Sequence, residues 1–101
     1  MDLSILDADG VPGQTLTIGA GLHERLMSAA DLAGAKLMGR MADFYADADY
    51  SQDELQGLHE DVTSVARTVN HDPELSTLLE RMGGLVESAQ LLGRSVAVIA
   101  D

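Results

Sequence analysis

Cysteine is missing from all 101 residues, which excludes disulfide staples, thiolate metal ligands and cysteine nucleophiles. Aromatic side chains are scarce: Phe44, Tyr45 and Tyr50 are the whole complement, 3% of the chain. The core must therefore be assembled from Leu, Val, Ile, Ala and five Met, whose flexible thioethers fill irregular gaps. Basic residues number six against 17 acidic ones, giving a formal net charge of −11. Six scattered cations do not make the cationic face that a polyanion requires, so neither nucleic acid nor an anionic membrane surface is an expected partner. No apolar run approaches the roughly 20 residues of a membrane span. The segment "MDLSILDADG" has neither the basic n-region nor the apolar h-region of a secretory signal. These absences predict a cytoplasmic protein.

What is present is enough to fold. At 46% hydrophobic and 23% charged, the composition is that of an ordinary globular chain, and 101 residues suit one domain spanning 1–101. "LSILD" and "TLTIG" alternate apolar and polar residues, and "ADGVPGQ" between them carries Asp-Gly and Pro-Gly turn signals, so a short β-hairpin is expected. Two strands are not stable alone and need a third strand or a helix to cover them. From Gly21 the period changes to 3.6: Leu22, Leu26, Ala29, Ala30 and Ala33 form one stripe, and Leu37, Met38, Met41, Phe44 and Tyr45 suggest a second helical stretch beyond a break at Gly34 or Gly39. Ser51 and Glu54 form an S-x-x-E capping box ahead of Leu55, Leu58, Val62, Val65 and Val69. Asp72-Pro73-Glu74 then opens another helix, with Asp at the N-cap, Pro at the first helical position and an acid to complement the dipole. Gly83 and Gly84 inside that helix suggest a kink or a close helix contact. "SVAVIA" reads as a final strand, apolar on both faces, and hence either central in a sheet or covered by a partner. The expected fold is α+β: a short hairpin, three to four helices in the order β-β-α-α-α-α-β, and a C-terminal strand completing a small antiparallel sheet.

The unusual stretch is "DFYADADYSQDELQ", residues 43–56, with five carboxylates, three aromatics and no Lys or Arg in fourteen positions. Asp47, Asp49, Ser51 and Asp53 have the spacing that starts an EF-hand loop. The sixth position, however, is Gln52 where the sharp turn needs Gly, and the twelfth is Leu58 where a bidentate Glu belongs. "DADG" at 7–10 is better read as a turn. "HEDVT" at 59–63 lacks the second histidine of a helical zinc site, and His59 is expected on a solvated face. No serine lies in a G-x-S-x-G context, and no Gly-rich loop follows a strand to cradle phosphate. Neither a catalytic residue nor a metal or cofactor is therefore assigned, and the chain is not expected to be an enzyme. Charge is more informative: from Arg40 to Arg67 there is no basic residue, while Asp43, Asp47, Asp49, Asp53, Glu54, Glu60 and Asp61 all fall between them. An ordinary solvated helix face would account for the acids alone. Aromatic anchors rimmed by charge are the makeup of a protein-binding surface, so Asp43, Tyr45, Asp47, Asp49, Tyr50, Asp53, Glu54, Glu60 and Asp61 are the expected partner-binding residues.

"LSILD", "DFYADADYSQDELQGL" leading into an amphipathic helix, and the terminal "VAVIAD" together resemble the small bacterial immunity proteins encoded beside polymorphic toxins of contact-dependent or secreted-effector systems. The resemblance implies a cytoplasmic protein that binds one cognate toxin domain and blocks it, with no catalytic residues to carry over; a partner with a basic surface fits the acidity. The alternative expectation is a non-enzymatic structural or adaptor module, a homodimer paired through "SVAVIA".

Overall fold

In a computed structural model of the chain, which describes residues 1–100, the two period-two segments pair as an antiparallel hairpin. β1 spans Asp2–Leu6 and β2 Pro12–Thr17, with Leu3 opposite Leu16 and Ser4 opposite Thr15. Asp7 shapes the connection, its Oδ1 accepting from the amides of Asp9 (2.9 Å) and Val11 (2.8 Å). α1 follows over Ala20–Ala33, then β3 over Ala48–Tyr50, α2 over Leu55–Thr68, α3 over Pro73–Leu92 and β4 over Val96–Ile99. The strands form one antiparallel sheet in the order β2-β1-β4-β3. The architecture is α+β, with the C-terminal strand inside the sheet.

Two expectations need correction. The second helical stretch is only a 3-10 turn at Met38–Met41, because the chain leaves helical geometry before Phe44 and Tyr45 can join the stripe. The acidic segment also contributes a strand that its composition hides, so the order is β-β-α-β-α-α-β. β3 exists because β4 offers it an edge: Ala48, Asp49 and Tyr50 pair with Val98, Ala97 and Val96. β4 is thereby hydrogen-bonded along both edges, which makes it a central strand and closes it to strand pairing with a second copy.

Alternation sorts the sheet into two faces. Leu3, Ile5, Val96, Val98 and Tyr50 turn inward to a single core with Leu26, Leu55, Leu58, Leu79, Met82 and Val86 from the helices. Asp2, Ser4, Thr15, Thr17, Ala97 and Asp49 lie at the intervening positions. Ser4, in the middle of this outer face, is buried and bonds Thr15 through their hydroxyls at 2.8 Å.

The helix boundaries follow local chemistry. α1 and α3 each stop at a left-handed glycine, Gly34 (φ 70°) and Gly93 (φ 65°), a conformation that costs a side-chain-bearing residue more. Asp72 caps α3, its Oδ1 accepting from the Leu75 amide at 3.3 Å, and Arg25 of α1 pairs with both Asp72 and Glu74 there. Gly83 and Gly84 do not interrupt α3; a Cβ on Gly83 would lie 3.8 Å from Val62 Cγ1, so the glycine marks the packing of α3 on α2. His59, expected on a solvated face, bridges the same two helices through a 2.9 Å contact from Nε2 to Glu87 Oε1.

The two tyrosines have opposite fates. Tyr50 is fully buried and its hydroxyl donates to the Leu37 carbonyl at 2.5 Å, whereas Tyr45 is 81% exposed. Truncating Tyr50 to Ala is expected to cost about 3–5 kcal/mol, and Tyr45→Ala to stay within about 0.5 kcal/mol, in urea unfolding followed by circular dichroism. Equal effects would contradict the assignment of Tyr50 to the core.

Candidate functional site

The acidic segment divides into an anchored part and a free part. The anchor centres on Arg40, whose guanidinium lies 4.9 Å from the Tyr50 ring centroid. Arg40 Nη1 donates to the Asp49 carbonyl (2.8 Å) and to Glu54 Oε1 (2.9 Å), while Nη2 donates to Glu54 Oε2. This forked contact fixes both groups and leaves the ring a cation–π partner. Glu54 also accepts from the Ser51 amide at 3.0 Å, completing the capping box where a 3-10 turn at Gln52–Glu54 leads into α2. The Arg40 guanidinium first, and the Ser51 amide second, hold the Glu54 carboxyl down at about 2. Burial drives the Tyr50 phenol in the opposite direction, upward. Asp61 belongs to the anchor as well: from α2, its Oδ2 accepts from the Met38 amide at 3.0 Å and ties the 3-10 turn to the helix.

Three of the nine expected partner-binding residues are therefore taken up by the core or the anchor. Tyr50 is corrected outright, because a fully buried ring cannot meet a partner without leaving the core. Glu54 and Asp61 are already engaged by Arg40 and the Met38 amide, the cation of Glu54 arriving from fourteen residues upstream.

The remaining six are exposed. Asp43 accepts from the Tyr45 amide at 2.9 Å, and Asp47 accepts from the Ala100 amide at 2.7 Å, pinning the segment beside the end of β4. Asp49 stands on the outer sheet face in a cross-strand row with Ala97, Ser4 and Thr15. Asp53 lies in the first turn ahead of α2, where negative charge complements the helix dipole. Glu60 projects from α2 with Gln56 as its hydrogen-bond partner at 3.4 Å. Among the described residues, none of these six carboxylate or phenol groups has a Lys or Arg ion-pair partner. They form two groups: Asp43 to Asp53 follow the edge of the sheet and the helix entrance, and Glu60 stands apart on α2.

A feature that helical periodicity alone does not reveal is how Tyr45 is held. Its ring meets Phe44 edge-on at 5.4 Å, and Phe44 meets the buried His23 of α1 edge-on at 5.1 Å. His23 Nε2 is 2.7 Å from the Met41 carbonyl, which can only accept, so Nε2 carries the proton. The exposed tyrosine thus rests on a chain of rings rooted in the core.

No three Asp, Glu or His side chains among the described residues converge to hold a metal ion, and no described helix is long and apolar enough to cross a membrane. No family model, curated protein or solved structure matches the chain.

The Glu54 contacts set a pH dependence. Its folded carboxyl titrates at about 2 against an ordinary 4.5, so the unfolded chain takes up the proton first as pH falls. The stabilising contribution is complete above about 4.5 and is lost progressively towards about 2. The stability gap between the parent and Glu54→Gln should therefore be widest near neutral pH and shrink across that window, measured by urea midpoints. A gap independent of pH would contradict the Arg40–Glu54 contact.

Proposed function

We propose that this chain is a non-enzymatic, cytoplasmic immunity protein that binds a cognate bacterial toxin domain directly and neutralises it. The observation that supports this reading most strongly is the free part of the acidic segment: Asp43, Tyr45, Asp47, Asp49 and Asp53 are exposed, and among the described residues none of the four carboxylates has a Lys or Arg ion-pair partner. A segment of this kind has a high local negative potential and loses little conformational freedom on binding, because β3, the Arg40 contacts and the Asp47–Ala100 hydrogen bond already order it. A cationic partner gains fast encounter from the field of a chain with net charge −11, and Tyr45 supplies apolar area that slows release. Glu60 extends the charge along α2.

Exposed acids that serve solubility alone would tolerate neutralisation without loss of any binding. The deciding experiment expresses the C-terminal domain encoded by the neighbouring upstream gene together with this chain and counts surviving colonies. Protection by the parent, and its loss in the Asp47→Asn, Asp49→Asn, Asp53→Asn, Tyr45→Ala variant with an unchanged circular dichroism spectrum, is the expected outcome. The affinity of the variant should fall by more than about tenfold, since several rim charges and one aromatic anchor are removed together. Equal protection by variant and parent would move the interface elsewhere, and a neighbouring gene without a toxin domain would remove the reading.

A further inference from the structure

Beside Tyr45, between α1 and the segment that follows the Met38–Met41 turn, lies an open cleft of about 490 Å³. Met27, Phe44 and Tyr45 give it apolar and aromatic walls, with His23 behind them, and Glu24 and Asp31 stand on the α1 side. No Lys or Arg lines it, and among the described residues neither Glu24 nor Asp31 is ion-paired. A cleft with an aromatic wall, an apolar side and uncompensated carboxylates matches one kind of side chain, a long apolar stem ending in a cation.

We infer that this cleft receives an arginine side chain of the partner protein, with its methylenes against Met27 and Phe44, its guanidinium over the Tyr45 ring and its N–H groups towards Glu24 and Asp31. The molecule already makes this combination internally. Arg40 lies over the Tyr50 ring and forks onto Glu54, which is the same set of aromatic face, carboxylate and guanidinium. At Tyr45 the face and the carboxylates are present and the cation is not. Arginine suits the site better than lysine because its planar guanidinium stacks on a ring while it donates sideways to carboxylates. The cleft is open, so the incoming charge keeps part of its hydration and the desolvation cost stays small. The chain of rings through Phe44 to His23 keeps Tyr45 in place before the partner arrives. This inference deepens the docking role proposed above and rests on it for its biological setting, although the cleft can be tested without the toxin.

The test titrates isotopically labelled protein with a short, end-capped peptide whose single charge is one central arginine, and with the same peptide carrying citrulline, a neutral isostere. The arginine peptide is expected to move the Tyr45 and Phe44 ring signals and the Met27 methyl signal saturably, in the roughly millimolar range. Citrulline should leave them in place. Tyr45→Ala, and separately Glu24→Gln with Asp31→Asn, should each weaken binding roughly three- to tenfold, as the loss of one cation–π or ionic contact implies. All three positions are exposed, so the fold is expected to survive the changes. Equal shifts from both peptides, or no saturable shift of the three groups, would overturn the inference. Shifts confined to Asp47, Asp49 and Asp53 would also overturn it while leaving the acidic docking face standing. Arginine binding in the cleft together with full colony protection by the Asp47→Asn, Asp49→Asn, Asp53→Asn variant that keeps Tyr45 would instead sustain the cleft and count against the acidic docking face.

Discussion

The contact between Arg40, Tyr50 and Glu54 holds together the part of the molecule that has the least regular structure. Between the end of α1 and the start of α2 the chain has one three-residue strand and short 3-10 turns, too few backbone bonds to order an acidic segment against its own repulsion. Tyr50 supplies the apolar weight by filling the core, and its hydroxyl satisfies the Leu37 carbonyl, so burying the phenol leaves no polar atom unpaired. Arg40 then covers the ring, caps the Asp49 carbonyl and neutralises Glu54 in one placement. Without that cation, Glu54 would add to the repulsion among Asp43, Asp47, Asp49 and Asp53.

The same contact decides which acids are available. Glu54 and Asp61 are engaged in holding the turn and α2, whereas Asp47 and Asp49 are exposed on β3 and its approach without a Lys or Arg ion pair among the described residues. An acidic patch held this way differs from a solvated tail: its charges keep fixed positions, so a partner can match them in register as well as in sign. The row of Asp49, Ala97, Ser4 and Thr15 continues from the patch across the outer face of the sheet.

Much of the fold was legible because local chemistry and tertiary structure agree. The Ser51–Glu54 box, the Asp72-Pro73 helix start, the hairpin and the doubly paired final strand all act over a few residues or through a repeating apolar pattern. β3 was not legible, since Ala48-Asp49-Tyr50 is short, has an aspartate at its centre and becomes a strand only because β4 presents an edge to it. The inward turn of Tyr50 follows from that pairing and was hidden with it. The Arg40–Glu54 pair crosses fourteen positions, outside the reach of helical spacing rules. On α1, Glu24 and Asp31 lie seven apart on one polar helix stripe, which periodicity assigns to water; that Phe44 and Tyr45 fold back to face them is a tertiary fact.

Under the proposed function, exposed acids without ion-pair partners on this segment capture a cationic protein. The most direct test of this capture is the association rate constant with the purified toxin domain, measured by stopped flow as a function of ionic strength. Electrostatic capture predicts a fall of more than about tenfold between roughly 0.05 and 0.5 M salt, with the dissociation rate nearly constant. An association rate that is flat across that range would contradict it.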